Sequence, residues 1–206
     1  MVSDHGTRRL IQCLRYRIWV LIALLLAAAR SEAGEITHFA LEREGDGYRL
    51  QVRALIEAPF DGVWRVLTDY AGLHRVSPRI VESELAEVSP EGVARVRTVN
   101  RLCFLVFCHD LRQVQLIRQI GDGDFESNSI PEESNLSYGY ARWRLFAEDT
   151  RTRLDIDFNF AMDSYSWVPP WVSLVVARSV LKADAAALIQ GIERVVRARE
   201  GQTGGH

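Results

Sequence analysis

Apolar and polar positions alternate with a period of two through most of the region from Tyr48 to Met162, and the period changes to a helical one after Pro170. Tyr48–Glu57 is the first predicted strand, with Leu50, Val52 and Ala54 on one face. Six more follow at Ile80–Val88, Val93–Leu102, Leu111–Ile120, Phe125–Ile130, Leu136–Ala147 and Arg153–Met162. Turn signals part them at Ser89-Pro90-Glu91-Gly92, Gly121-Asp122-Gly123-Asp124 and Glu148-Asp149-Thr150. In the last strand Leu154, Ile156, Phe158 and Phe160 oppose Arg153, Asp155, Asp157 and Asn159, so one face is buried and the other wet.

Two stretches break the strand pattern. Ala58-Pro59-Phe60-Asp61 opens a short helix, with Val63, Trp64 and Leu67 at helical spacing and Pro59 near its first turn. A second short helical turn is expected after Tyr70 and Gly72, before Pro78. From Pro169-Pro170 onward Trp171, Leu174, Leu181, Ala185, Leu188, Ile192 and Val195 recur at helical steps, and Gly201 is expected to follow the end of this helix. The pattern predicts an α+β fold in which a curved antiparallel sheet grips one long C-terminal helix and leaves a space between them.

Residues 1–33 form a separate region. Arg8, Arg9, Arg15 and Arg17 precede an apolar run from Ile18 to Ala29, and Ser31-Glu32-Ala33 supplies small residues where a signal peptidase reads. The run of roughly a dozen residues is shorter than the ~20 that span a bilayer. A signal peptide cleaved after Ala33 is the expectation, with an uncleaved membrane anchor as the alternative, and either places the domain in an exported, periplasm-like space. Residues 34–199 then form one domain, with a polar tail at 200–206. Lys and Arg total 25 against 27 Asp and Glu, which gives no drive toward nucleic acid. Outside the leader the only cysteines are Cys103 and Cys108, flanking Phe104 to Phe107. A disulfide pinching a hairpin tip fits this pair better than a zinc site, for which only His109 is near.

The stretch Ala58-Pro-Phe-Asp-Gly-Val-Trp64-Arg-Val-Leu67-Thr-Asp69-Tyr70 resembles the opening helix of the START-like helix-grip superfamily. Its nearest likeness is the polyketide cyclase/dehydrase and lipid-transport group, which includes coenzyme Q-binding START-domain proteins. Pro78-Arg79-Ile80-Val81-Glu82-Ser83 and Gly139-x-Ala-x-Trp143 fall where that pattern has them. The resemblance spans essentially the whole mature chain. It implies an internal cavity for a lipid, quinone or polyketide-like molecule; the leader, the cysteine pair and the Trp167-to-Trp171 segment are features it does not require.

The residues add no catalytic constellation. His38, His74 and His109 are scattered, with neither metal spacing nor a nucleophile beside a base, so no metal and no cofactor are expected. Trp64, Leu67, Tyr70, Tyr140, Trp143, Phe158 and Phe160, with Leu174 and Leu181 from the last helix, are expected between sheet and helix, lining a cavity or filling it. Arg97, Asn100, Gln113 and Gln115 are polar candidates for orienting a ligand, although a solvated outer face competes for the arginines, Arg95 and Arg101 included. Phe104 and Phe107 at the hairpin tip, with Trp167 and Trp171 before the last helix, form an expected hydrophobic entrance rim that would meet a membrane surface. Binding or transport of a hydrophobic small molecule without catalysis is the expected function. The alternatives are a cyclase/aromatase-like enzyme, with Tyr140, Arg97 and Asp69 as its polar groups, and a protein-interaction module.

Overall fold

A computed structural model describes residues 34–104, 107–162 and 174–203. Among these residues eight strands form one antiparallel sheet: β1 (Glu35–Glu44), β2 (Gly47–Ile56), β3 (Ile80–Val88), β4 (Ala94–Phe104), β5 (Phe107–Gly121), β6 (Asp124–Ser129), β7 (Leu136–Glu148) and β8 (Arg151–Met162). Their spatial order is β1-β2-β8-β7-β6-β5-β4-β3. Every connection but one therefore joins neighbours. The exception carries the chain from β2 to the far edge through helix α1 (Phe60–Leu67) and a 3-10 helix at Tyr70–Arg75. The last element, α2, runs from Leu174 to Thr203.

The helix-grip architecture expected from the sequence is what forms, with one strand more than the pattern predicted. In β1 the pairing slips between Ile36 and His38, a bulge that breaks the period of two, so the alternation no longer reads as one strand. The pairing still turns Phe39 and Leu41 toward the same cluster as Leu50 on β2. At the other end Gly201 lies inside α2 rather than after it. Nothing stands within 4 Å of its Cα-side space, so the exposed glycine costs the helix only about its intrinsic propensity, ~1 kcal/mol against alanine.

Two apolar clusters join α2 to the sheet. The larger joins Ile189, Ile192 and Val196 of α2 to Val63 and Val66 of α1 and to Ile56, Val96, Leu145 and Leu154 of the sheet. Ile56, Val63 and Ile192 are completely buried, and each contributes roughly 1.5–3 kcal/mol by leaving water. The second, around Leu41, Leu136 and Phe160, receives Ala177 and Leu181 from the first half of α2. On the opposite face of the sheet the strands are laced by cross-strand ion pairs such as Arg49–Asp157 at 2.7 Å and Arg53–Asp155 at 3.1 Å. The arginines of these part-buried pairs stay half in solvent, so each pair adds little, of the order of 0–1 kcal/mol, while keeping this face wet.

The β4–β5 hairpin is closed by the expected disulfide, Cys103–Cys108, between residues directly opposite in the ladder. Cross-linking so short a loop stabilises by about 2 kcal/mol through the unfolded chain.

Candidate functional site

A cavity of about 180 Å³ lies under α1 and the 3-10 segment, against the concave face of the sheet. Its roof is Leu67, Tyr70, Leu73 and Val76, and Leu188 closes it from α2. The wall is built by alternate residues of successive strands: Ile80 from β3, Val96, Thr98 and Asn100 from β4, Gln113, Gln115 and Ile117 from β5, Phe125 and Ser127 from β6, and Trp143 from β7. The register explains the assembly. Thr98 pairs with Gln113, Val96 with Gln115, Ile117 with Ser127 and Phe125 with Trp143, and in a pleated sheet directly opposed residues share a face.

The lining is graded. Toward the core, Phe60 stacks on Trp64 at 6.4 Å between centroids, Trp64 meets Phe125 edge-on at 5.9 Å, and Phe125 stacks on Trp143 at 5.6 Å. These rings pack against the larger apolar cluster and make a dry end. Toward the hairpin with the disulfide lies a band of uncharged polar groups. The Asn100 amide donates to Thr98 Oγ1 at 3.4 Å and the Gln113 amide to Ser129 Oγ at 2.8 Å, while the Gln115 side chain makes no hydrogen bond among the described residues. Among the described residues Tyr70 is the one titratable side chain in this lining, and burial pushes its phenol above the usual range, so it stays a neutral hydroxyl.

The structure brings Leu67, Tyr70 and Trp143 to the cavity, with Trp64 one ring behind them. Phe158, Phe160 and Leu181 sit elsewhere, in the second cluster, where they pack together between β8 and α2. Leu174 is 43% exposed. Arg97 and Tyr140 need correction. Both lie at outward positions of their strands: Arg97 donates to Glu84 at 2.9 Å beside inward-facing Val96 and Thr98, and the Tyr140 hydroxyl donates to Glu126 at 3.3 Å. Arg95 and Arg101 are likewise outward, paired with Glu133 and Asp110. Trp167 and Trp171 lie outside the described residues, and of the other two rim residues the backbone alone is described, as the pair Phe104–Phe107 in the hairpin ladder. Thr98 and Ser127 were missed because they are short polar residues at inward positions, and only the register separates them from surface hydroxyls.

Carboxylates near the site are tied up in the scaffold. Burial alone would raise Asp69, but hydrogen bonds from Arg199 and Arg75 outweigh it and hold its carboxyl below the usual range. Asp184 on α2 pairs with Arg79, next to the lining residue Ile80; there burial prevails over the arginine and the carboxyl is pushed up. Among the described residues no three His, Cys, Asp or Glu side chains cluster as a metal site would need.

A sheet wrapped on a long helix, with a cavity between them, defines the START-like helix-grip class. The chain belongs to the polyketide cyclase/dehydrase and lipid transport family, whose model matches residues 48–197. Solved structures agree on the fold. The Zhui aromatase/cyclase from Streptomyces sp. R1128 superposes with a TM-score of 0.62 at 17% identity, over 77% of this chain and 98% of its own. A START superfamily protein from Mycobacterium smegmatis gives 0.59 at 10% identity, over 73% and 97%. A STAR-related lipid transfer protein fragment from Xanthomonas axonopodis gives 0.52 at 15% identity, over 75% and 98%. Comparison with curated protein sequences yields no significant match.

Proposed function

We propose that this protein binds a neutral hydrophobic small molecule in the cavity and carries it without chemical change, in an exported compartment. The observation that carries the reading is the lining itself, which is aromatic at one end, amide and hydroxyl at the other, and, among the described residues, free of charged side chains. A fatty acid carboxylate or a phosphate would enter such a site without a cation to meet it, at a large desolvation cost. A carbonyl, hydroxyl or quinone oxygen would find Gln113, Gln115, Asn100, Thr98 and Tyr70 as partners.

Size narrows the choice. A cavity of about 180 Å³ compares with the roughly 150 Å³ of an engineered cavity that holds benzene, and falls short of the ~300 Å³ at which drug-sized sites begin. The cavity therefore suits an oxygen-bearing ring at the head of a larger apolar molecule. The three groups considered for catalysis stand apart from it: Asp69 is clamped by two arginines, and Arg97 and Tyr140 face outward. A neutral phenol and primary amides orient a ligand well and exchange protons poorly near pH 7.

Native mass spectrometry of the gently purified domain is the test. A reproducible adduct whose released component is neutral and ring-bearing is the expected result; an acidic or phosphorylated adduct, or a protein still empty after incubation with quinones and neutral lipids, would sink the proposal. Entry past the Phe104–Phe107 tip and the Trp167–Trp171 segment is part of the same reading. Replacing Phe104 and Phe107 together with Ser should slow ligand transfer from liposomes several-fold while leaving the affinity of the loaded site unchanged, and unaltered transfer would exclude the tip as the entrance.

A further inference from the structure

Glu193, on α2 between Ile192 and Arg194, is 0% exposed, and the cavity makes no use of it. Its Oε1 accepts the backbone N–H groups of Gly34 at 2.8 Å and Glu57 at 2.9 Å. Its Oε2 is buried without a hydrogen-bond partner among the described residues, and the half-exposed Arg197 guanidinium stands 3.7 Å away. A buried carboxylate needs its charge balanced and its lone pairs filled, and two neutral N–H groups on one oxygen do this only in part.

The residue at the other end of this contact is unusual in two ways. Gly34 sits so close that a Cβ there would lie 2.5 Å from Glu193 Oε1, 2.6 Å from the Leu55 carbonyl oxygen and 2.7 Å from Ile189 Cγ2. It also directly follows Ser31-Glu32-Ala33, where the sequence predicts that the leader is removed. We propose that peptidase cleavage between Ala33 and Gly34 creates an α-ammonium that docks on the buried Glu193 carboxylate, so that processing completes the folded domain. Water is the co-reactant: its oxygen joins the Ala33 carbonyl carbon, the peptide C–N bond breaks, and the Gly34 nitrogen leaves as an amine. That amine takes up a further proton at neutral pH, since α-amino groups titrate near 8. One N–H directed at Oε1 becomes three donors with a full positive charge, beside the oxygen that lacks one. Glycine is the residue that lets the new terminus approach so near.

The test begins with the full chain, leader included, exported into the periplasm of a Gram-negative host. Intact mass should place the N-terminus at Gly34, and the α-amine should react with pyridine-2-carboxaldehyde at least about tenfold more slowly in the native protein than in denaturant. Glu193→Gln, which keeps the shape and one acceptor but removes the charge, should lose most of that protection and melt several degrees lower. The native-against-denatured comparison needs no variant and stands even where Glu193→Gln folds poorly. An uncleaved chain, a start at another residue, or an α-amine equally reactive in both states overturns the proposal, and none of these outcomes bears on whether the cavity holds a ligand.

Discussion

Gly191→Ala is expected to destabilise the protein by about 3 kcal/mol, a larger effect than any surface change should produce. Gly191 is buried on α2 where the helix crosses the end of the 3-10 segment, and a Cβ there would fall 1.6 Å from the Val76 carbonyl oxygen and 2.5 Å from its carbon. Both obstacles are backbone, so no rotamer change relieves the overlap. Either α2 or the 3-10 segment must move. The intrinsic effect has the opposite sign, since alanine is the better helix former by ~1 kcal/mol, which makes the direction of the result informative. Gly201→Ala in the same helix is the control: open space surrounds it, and it should leave stability unchanged or raise it slightly. Urea denaturation of the two variants decides the matter. A Gly191→Ala protein as stable as Gly201→Ala would mean that α2 does not rest on Val76. Because Val76 is also part of the cavity roof, the destabilised variant should lose ligand affinity as well.

How far this molecule is legible in its sequence depends on the kind of burial each residue meets. Element types were legible where burial is one-sided: β8 shows its period of two because Leu154, Ile156, Phe158 and Phe160 face inward while Asp155 and Asp157 pair with arginines on the far side. The β1 bulge erased the same signal at Ile36–His38, and the strand went unread. The site was legible only in part for a different reason. Aromatic residues announce burial but not what they are buried against, so Trp143 belongs to the cavity and Phe158 to the second apolar cluster although the two look alike in the sequence. Polar residues require the register. Gln113 and Gln115 are inward while Arg97, beside Thr98, is outward, and a single step along a strand reverses a side chain's face. The Gly191–Val76 contact joins residues distant in the chain, and no local pattern encodes it.

Filling the cavity from its floor should separate binding from folding. Ser127 is 4% exposed, lies between Phe125 and Ser129 on β6, and is opposed by Ile117 on one neighbouring strand and Ala141 on the other. Ser127→Phe would project a ring into the 180 Å³ space beside Phe125 and Trp143, trading a hydroxyl for apolar surface that aromatic neighbours can accept. Stability should change by no more than about 1–2 kcal/mol in either direction, because ring burial offsets local crowding. The ligand, however, would have nowhere to place its head. Affinity should fall at least tenfold, which amounts to about 1.4 kcal/mol, and the co-purifying adduct should vanish from the native mass spectrum. Tyr140→Phe, on the outer face of β7 and bonded to Glu126, should bind as the parent does. A Ser127→Phe protein that folds and still carries its ligand would place the binding surface outside the cavity and shift the weight to a docking role for the exposed face. Loss of ligand in Ser127→Phe with retention in Tyr140→Phe would tie affinity to the inward face of the sheet, where an uncharged amide and hydroxyl band leaves a neutral oxygen-bearing ring as the ligand that costs least to desolvate.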